Sequence, residues 1–232
     1  MEFPELVDGV EIYWLGHASV KLIDSDDTTV YIDPWSEVMQ EADEHPAADI
    51  IISTHDDRDH FDVKAIQAVK KDVTVLVCHP DSADDVPQDV SFKRLEPGRS
   101  VKIHGKRIRG VHAYNTDKFE SPDVPYHAKG DGYGALFAMD GVTFYHAADT
   151  DPIPEMEALA EEDIDVAFLP VGGTYTMDQD EAVDAVQMIQ PRKVVPIHYG
   201  SIDATTADVD RFADDIRAQT DAEPLVLDRQ VP

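Results

Sequence analysis

A chain of 232 residues with 42% hydrophobic content can bury a sizeable core and fits one large α/β domain, taken as residues 1–232. Its 48 acidic and 19 basic residues give a formal net charge of -29 with no lysine- and arginine-rich stripe, which argues against nucleic acid as the main partner. Such self-repulsion destabilises a compact fold in dilute buffer, but in molar salt the Debye length falls to about 3 Å, so the charge reads as adaptation to a salt-rich cytoplasm such as a halophile's. No apolar run approaches the roughly 18 residues of a membrane span. The start MEFPELVDGVE has neither the basic nor the apolar part of a secretory signal, so a cytoplasmic location is expected. The lone Cys78, inside VTVLVCH, reads as a buried strand residue and not as a nucleophile.

In chain order, apolar or alternating runs predict strands at 10–15, 18–23, 28–33, 49–54 and 73–78. A helix follows residue 62, because Val63, Ile66 and Val69 recur at helical spacing behind Asp62, a capping residue. The basic segment KIHGKRIRG, Lys102 to Gly110, alternates like an exposed strand. Further strands are predicted at 107–114, 132–139, 142–147, 164–170 and 193–198, and helices at 154–162, 178–190 and 205–219. In the second of these helices, Ala182, Val183, Val186 and Ile189 form an apolar stripe, and Asp178 with Glu181 can make a capping box. Two strand-rich halves, each with helices, suggest two sheets packed face to face with helices outside, although composition alone allows other layered α/β folds.

The segment Asp49 to Phe61, DIIISTHDDRDHF, runs an apolar strand straight into His55, Asp57, Asp59 and His60. A turn just past a buried strand end can aim such side chains at one point while the strand holds them rigid. Imidazole nitrogen and carboxylate oxygen are the usual ligands of catalytic zinc, and carboxylate-rich sets extend the range to manganese or iron.

HDDRDH resembles the HxHxDH signature of the metallo-β-lactamase-fold hydrolases, with Asp57 where the second histidine stands. Four more segments are similar to that superfamily in the expected order: YWLGHASV from Tyr13, VHAYN from Val111, FYHAADTD from Phe144 and VVPIHYG from Val194. The stretch Leu169 to Val183, LPVGGTYTMDQDEAV, is similar to small members related to the L-ascorbate-6-phosphate lactonases. The resemblance implies a four-layer αββα sandwich and a pair of divalent ions. It implies a first metal position with His55, Asp57 and His112, although His127 could serve in place of His112. The second would hold Asp59, His60 and His198, with Asp149 bridging the two. Before Asp149 the family commonly has glycine, whereas this chain has Ala148. His17, His45, His79, His104 and His146 have no comparable context and read as structural or surface residues.

Asp57 adds a third carboxylate to the family's usual two. That lowers the site charge, should raise the pKa of a bound water above the value near 7 of histidine-rich zinc sites, and favours Mn2+ or Fe2+ over Zn2+. Arg58 could fold inward to offset the charge; alternatively Asp57 binds nothing and one ion is held. The implied chemistry is hydrolysis of a small ester, lactone or phosphoester by a metal-bound hydroxide, with Asp59 as both ligand and proton-shuttling carboxylate. Tyr114, Asn115, His127, Lys129, Thr174 and Tyr175 are the expected substrate contacts, Lys129 taking an anionic group. The competing readings are a noncatalytic metal-binding or sensory module and, among enzymes, a phosphodiesterase or nuclease. The expected partner is a small molecule; a homo-oligomer is open.

Overall fold

The computed structural model describes residues 4–39 and 46–229; His45 lies outside the described residues. The first half builds β1 (Glu5–Val7), β2 (Val10–Gly16), β3 (Ser19–Ile23), β4 (Thr29–Ile32), β5 (Ala48–Ser53), α1 (Val63–Val69), β6 (Lys70–Cys78) and β7 (Ser91–Arg94). The second builds β8 (Ser100–Ile103), β9 (Lys106–Val111), β10 (Phe119–Ser121), β11 (Val124–Pro125), β12 (Gly134–Met139), β13 (Val142–His146), β14 (Val166–Pro170), α2 (Gln179–Ile189), β15 (Lys193–Ile197), α3 (Val209–Gln219) and β16 (Glu223–Pro224). Two seven-stranded sheets result, ordered β1-β2-β3-β4-β5-β6-β7 and β16-β15-β14-β13-β12-β9-β8. Each joins an antiparallel part to a parallel part: β4 to β7 run parallel in one sheet and β13 to β16 in the other.

Side-chain alternation explains the layers. In β5, Ile50 and Ile52 enter the core between the sheets while Ile51 faces outward, where α1 supplies Ala65, Ile66 and Val69. In β14, Val166 and Phe168 point inward, and Ala167 and Leu169 meet the helical layer containing Val183, Val186 and Phe212. A strand buried on both faces therefore reads as an unbroken apolar run, which is why Ile50-Ile51-Ile52 carries no alternation of its own. Phe137, Phe144 and Phe168 stack across the second sheet with centroids 5.7 and 6.4 Å apart. These layers, helix on sheet on sheet on helix, are the expected sandwich.

Caps set the helix boundaries. Asp62 accepts from the backbone of Lys64 and Ala65, and Asp178 and Glu181 form a full capping box. The third helix starts at Val209, four residues later than the apolar pattern suggests, because the Asp208 side chain accepts from the Arg211 N–H and fixes the start there. Pro154–Glu162 is a 3-10 helix and not an α-helix; its buried residues Met156 and Leu159 are three apart, which suits a repeat of three. The basic segment folds as the hairpin β8–β9 around His104 and Gly105. Among the described residues no helix is long and apolar enough to cross a membrane.

The parallel strands matter most for function. The chain leaves β4, β5, β13, β14 and β15 on the same side, and the loops that follow carry most of the polar side chains buried there. Ligand sites in open α/β sheets form in that position, beyond the carboxyl ends of strands.

Candidate metal centre

Past β5 the chain turns tightly, with the N–H groups of His60 and Phe61 both donating to the Asp57 carbonyl, and Ser53 Oγ donates to the His60 carbonyl at 2.7 Å. This turn throws His55 and His60 inward and leaves Asp57 at the mouth. His55 and His60 are buried, whereas the Asp57 side chain is 57% exposed.

Asp149, just past β13, lies between two groups of candidate ligands. Its Oδ1 is 3.2 Å from His60 Nε2, and its Oδ2 is 3.1 Å from His198 Nε2 and 3.5 Å from His127 Nε2. On one side Asp57 Oδ2 approaches His127 Nε2 at 3.4 Å and His55 Nε2 at 3.6 Å. On the other, Asp59 Oδ2 is 2.8 Å from His17 Nε2, 3.6 Å from His60 Nε2 and 3.9 Å from His198 Nε2. Within each of the sets His55–Asp57–His127, His55–His60–Asp149 and His17–Asp59–His60–His198, the donor atoms lie within 4.8 Å of one another.

Close as they are, several of these atoms have no hydrogen-bond partner. His55 Nε2, His60 Nε2, Asp149 Oδ1 and His198 Nε2 are buried and unsatisfied. Each such atom costs about 1–3 kcal/mol in an ordinary interior, and four converging on one region are unaffordable without a ligand. Imidazole nitrogens mixed with carboxylate oxygens are the donor set of a divalent cation, so the residues fit a metal centre.

Electrostatics point the same way. Contact first with His127 and then with His55 holds the Asp57 carboxyl well below the usual range. Burial pushes Asp149 upward, but His198 and His60 outweigh it and hold its carboxyl far down. Burial likewise opposes the Asp59 anion, yet His60 and the hydrogen bond from His17 keep it ionised. His60 shows the reverse: burial disfavours its charge, while Asp149, Asp33 and Asp59 drive its pKa well above 6.5. The carboxylates that favour positive charge on His60 would equally favour a cation placed between them.

A second layer of contacts orients the imidazoles. Fully buried Asp33, past β4, accepts from His60 Nδ1 at 2.8 Å and also from the Thr54 N–H and Thr54 Oγ1, each at 2.8 Å. Asn115 Oδ1 accepts from the backbone N–H and Nδ1 of His127, at 2.9 and 2.8 Å. A carboxylate or amide oxygen on the far nitrogen leaves Nε2 bare and aimed at the site. Ala148, before Asp149, has φ of +60°, where glycine would be at ease, and His198 has φ of +58°. The glycine pair past β14 permits a close approach instead: a Cβ on Gly172 would lie 2.3 Å from the His198 carbonyl oxygen.

The structure therefore differs from the sequence expectations at several residues. His112 joins none of the clusters; β9 ends at Val111, and the His112 ring stands edge-on to Tyr114 at 6.5 Å, so His127 occupies the place expected of it. Tyr114 donates to Glu155, and Lys129 pairs with the same Glu155 at 2.5 Å, which draws both away from the cavity. Asn115 accepts from His127 and donates to Asp151 and to the Tyr175 carbonyl, while Thr174 donates to the Ala204 carbonyl. Tyr175 and His127 do line the cavity. His17, read from sequence as a background residue, is fully buried inside the cluster; its only local signals are the GH pair and a turn requiring positive φ. His146 is buried and bonds the Ala18 carbonyl, His79 caps the 3-10 turn at Pro80–Asp84, and His104 sits in a hairpin turn.

Residues 11–198 match the beta-lactamase superfamily domain. A UPF0173 metal-dependent hydrolase of Natranaerobius thermophilus is 30% identical over 94% of this chain and 96% of its own, and one from Thermococcus onnurineus is 33% identical over 88% and 90%. Among solved structures, a proposed metal-dependent hydrolase from Parabacteroides distasonis superposes with a TM-score of 0.82 at 32% identity, covering 95% of this chain and 94% of that one. Igni18, a metallo hydrolase from Ignicoccus hospitalis, does so with a TM-score of 0.78 at 26% identity, covering 95% of each chain. A domain match through most of the chain, relatives aligned almost end to end and a cluster of unsatisfied metal-ligand atoms agree: the chain belongs to the beta-lactamase superfamily and, within it, to the UPF0173 metal-dependent hydrolases.

Proposed function

We propose that this hydrolase acts on a small, neutral ester or lactone, with two divalent ions held by His55, Asp57, His127 and Asp149 on one side and Asp59, His60, His198 and Asp149 on the other. The observation that carries the substrate reading is the cavity of about 360 Å³ above the cluster. Trp35, Tyr126, Tyr175 and Ile202 give it apolar walls, and Asp59, Asp149 and His198 line its metal-facing side. Its lining cation, Arg58, is already paired with Glu37 at 2.5 Å, and Lys129 is held by Glu155. A phosphoester would bring negative charge to a rim that, among the described residues, offers no unpaired lysine or arginine, whereas an uncharged carbonyl compound with an apolar body needs none. The same balance, with the net charge of -29, disfavours a phosphodiesterase or nuclease role.

When bound, the ions supply Lewis acidity, activating water and stabilising the oxyanion that develops. The protein's own part is positional. Tyr126, Tyr175 and Trp35 enclose the apolar part of the substrate and exclude water from it. Asp59 stands in the cavity wall, where its carboxylate takes the proton released by the attacking water and returns it to the leaving oxygen. With Asp57 present, the ligand set holds three carboxylates, which favours Mn2+ or Fe2+ over Zn2+. The similarity of the Leu169 to Val183 stretch to ascorbate-phosphate lactonases supports a lactone carbonyl as the reacting group, while the charge balance of the rim favours one without their phosphate, and the acidic surface supports a working place in a salt-rich cytoplasm.

Elemental mass spectrometry on protein purified in multimolar potassium chloride, followed by kcat/KM for p-nitrophenyl acetate, γ-butyrolactone and bis-p-nitrophenyl phosphate, tests the reading. About two ions per chain and a preference for the carbonyl substrates are expected. A preference for the phosphodiester would overturn the substrate class, and absence of metal would overturn the centre itself.

A further inference from the structure

We propose that His17 is a positioning residue of this centre, its ring fixing the Asp59 carboxylate in the orientation that metal ligation and proton transfer require. The inference rests on the metal-dependent hydrolase reading above. His17 lies in the turn between β2 and β3, far in sequence from every proposed ligand, yet it is fully buried and touches two residues of the site, Asp59 and His198.

Its Nε2 is 2.8 Å from Asp59 Oδ2. An ionised carboxylate only accepts, so Nε2 carries the proton and Nδ1 is the bare nitrogen, in keeping with the absence of any partner at Nδ1. Its ring lies 3.8 Å, centroid to centroid, from that of His198. Its carbonyl accepts from the His198 N–H and from Trp14 Nε1, each at 2.8 Å. The left-handed backbone, φ +52°, turns carbonyl and ring toward the site together.

Backbone and side chain have separate duties here. The carbonyl ties the His198 backbone to the turn after β2, alongside the stacking of Trp14 on Tyr199, and any residue at this position retains it. The ring does something the fold does not need for its own hydrogen bonding. His146 makes the contrast: equally buried, it bonds a backbone carbonyl, Ala18 at 2.9 Å, and is thereby accounted for as a structural histidine. The His17 N–H is directed to a carboxylate that faces the cavity. Ligating carboxylates are held by hydrogen bonds of this kind, and loss of such a partner typically weakens metal affinity or activity about 10–100-fold.

The test compares His17→Asn with His17→Gln in the full chain. Asparagine tolerates the left-handed backbone but is too short to reach Asp59, whereas glutamine places an amide N–H near the position of Nε2. Metal-free protein is titrated with Mn(II) against a competing chelator, and kcat and KM are measured on whichever carbonyl ester the parent hydrolyses. H17N is expected to bind its tighter Mn(II) about 10–100-fold more weakly and to lose kcat with KM within about twofold, and H17Q to stay within about threefold of the parent in affinity. If both variants match the parent, or both lose affinity equally, the positioning role is overturned. Should H17N fail to fold, H17Q decides alone: near-parent Mn(II) affinity supports the role, and a loss of about tenfold or more sinks it. A parent that binds no Mn(II) would instead defeat the metal-centre reading on which this one stands.

Discussion

The two sides of the centre use similar donors but are built differently. Around His60 and His198 the two imidazoles are deeply buried, Asp59 is partly exposed in the cavity wall, and each candidate ligand is held from behind: His60 by Asp33, Asp59 by His17, His198 through its backbone to the His17 carbonyl. Around Asp57 the site is open. Asp57 is more than half exposed, and its nearest partners at the site are His55 and His127, which are candidate ligands themselves. The first region is preorganised and should bind an ion tightly; the second, where Asn115 braces His127 but the carboxylate is exposed, should exchange its ion more readily.

The largest effect should come from the residue both sides share. Asp149→Asn is expected to lower turnover by about 10³-fold or more, on the scale at which preorganised charge stabilisation is lost, and to release both ions; retention of two ions by mass spectrometry would undo its bridging place. Asp33→Asn probes the braced side alone. It should weaken the tighter Mn(II) about 10–100-fold in chelator competition and leave the weaker one unchanged. Asp57→Ala probes the open side and should give one ion per chain with the tighter affinity kept, while Asp57→His should shift the preference of that position toward Zn2+. Equal losses in Asp33→Asn and Asp57→Ala would erase the distinction between the two halves.

Acidity sharpens the same contrast. His60 must lose its proton to ligate, and its metal-free pKa is raised, so Mn(II) affinity at the braced side should climb by about tenfold per pH unit from 6.5 until that raised pKa is passed. Stability of the metal-free protein should run the other way. The imidazolium's contacts contribute fully below the ordinary histidine pKa and are lost as pH rises through the raised one, so thermal melts of metal-free protein should fall with pH where those of loaded protein do not. The smallest effect is expected for Ala148→Gly. Relief of a left-handed alanine at φ +60°, offset in part by glycine's entropy, should add about 0.5–1 kcal/mol, or roughly 1–3 °C in melting temperature.

Much of this was legible in residues that work through local rules. Asp62 ahead of Val63, Ile66 and Val69 reads as a capped helix because cap and stripe are both short-range, and the capping box at Asp178 is equally local. His55 to His60 could be read because one turn gathers them. His127 and His112 could not be separated, since both follow polar loop or strand-end sequence; what selects His127 is Asn115, twelve residues away, which grips its backbone and ring together. His17 was hidden for a similar reason, its role being set by a partner 42 residues on. Lys129 shows the opposite failure: its charge is suited to a substrate, but Glu155 lies closer. The short strands β7, β10, β11 and β16 have little apolar pattern, and pairing with longer neighbours or with each other defines them.

The seam between the sheets has a consequence for how the protein matures. His17, Asp33, His55, Asp57, Asp59 and His60 come from the half that makes the first sheet, while His127, Asp149 and His198 come from the other. Neither half contains a full set of donors for either side. On the proposed ligand sets, a growing chain would complete the Asp57 side only after Asp149 has been made and the His198 side only after β15 has emerged, so that filling both would follow docking of the sheets. Full loading would then be a late event, and an ion bound between donors from both halves would act as a rivet joining them.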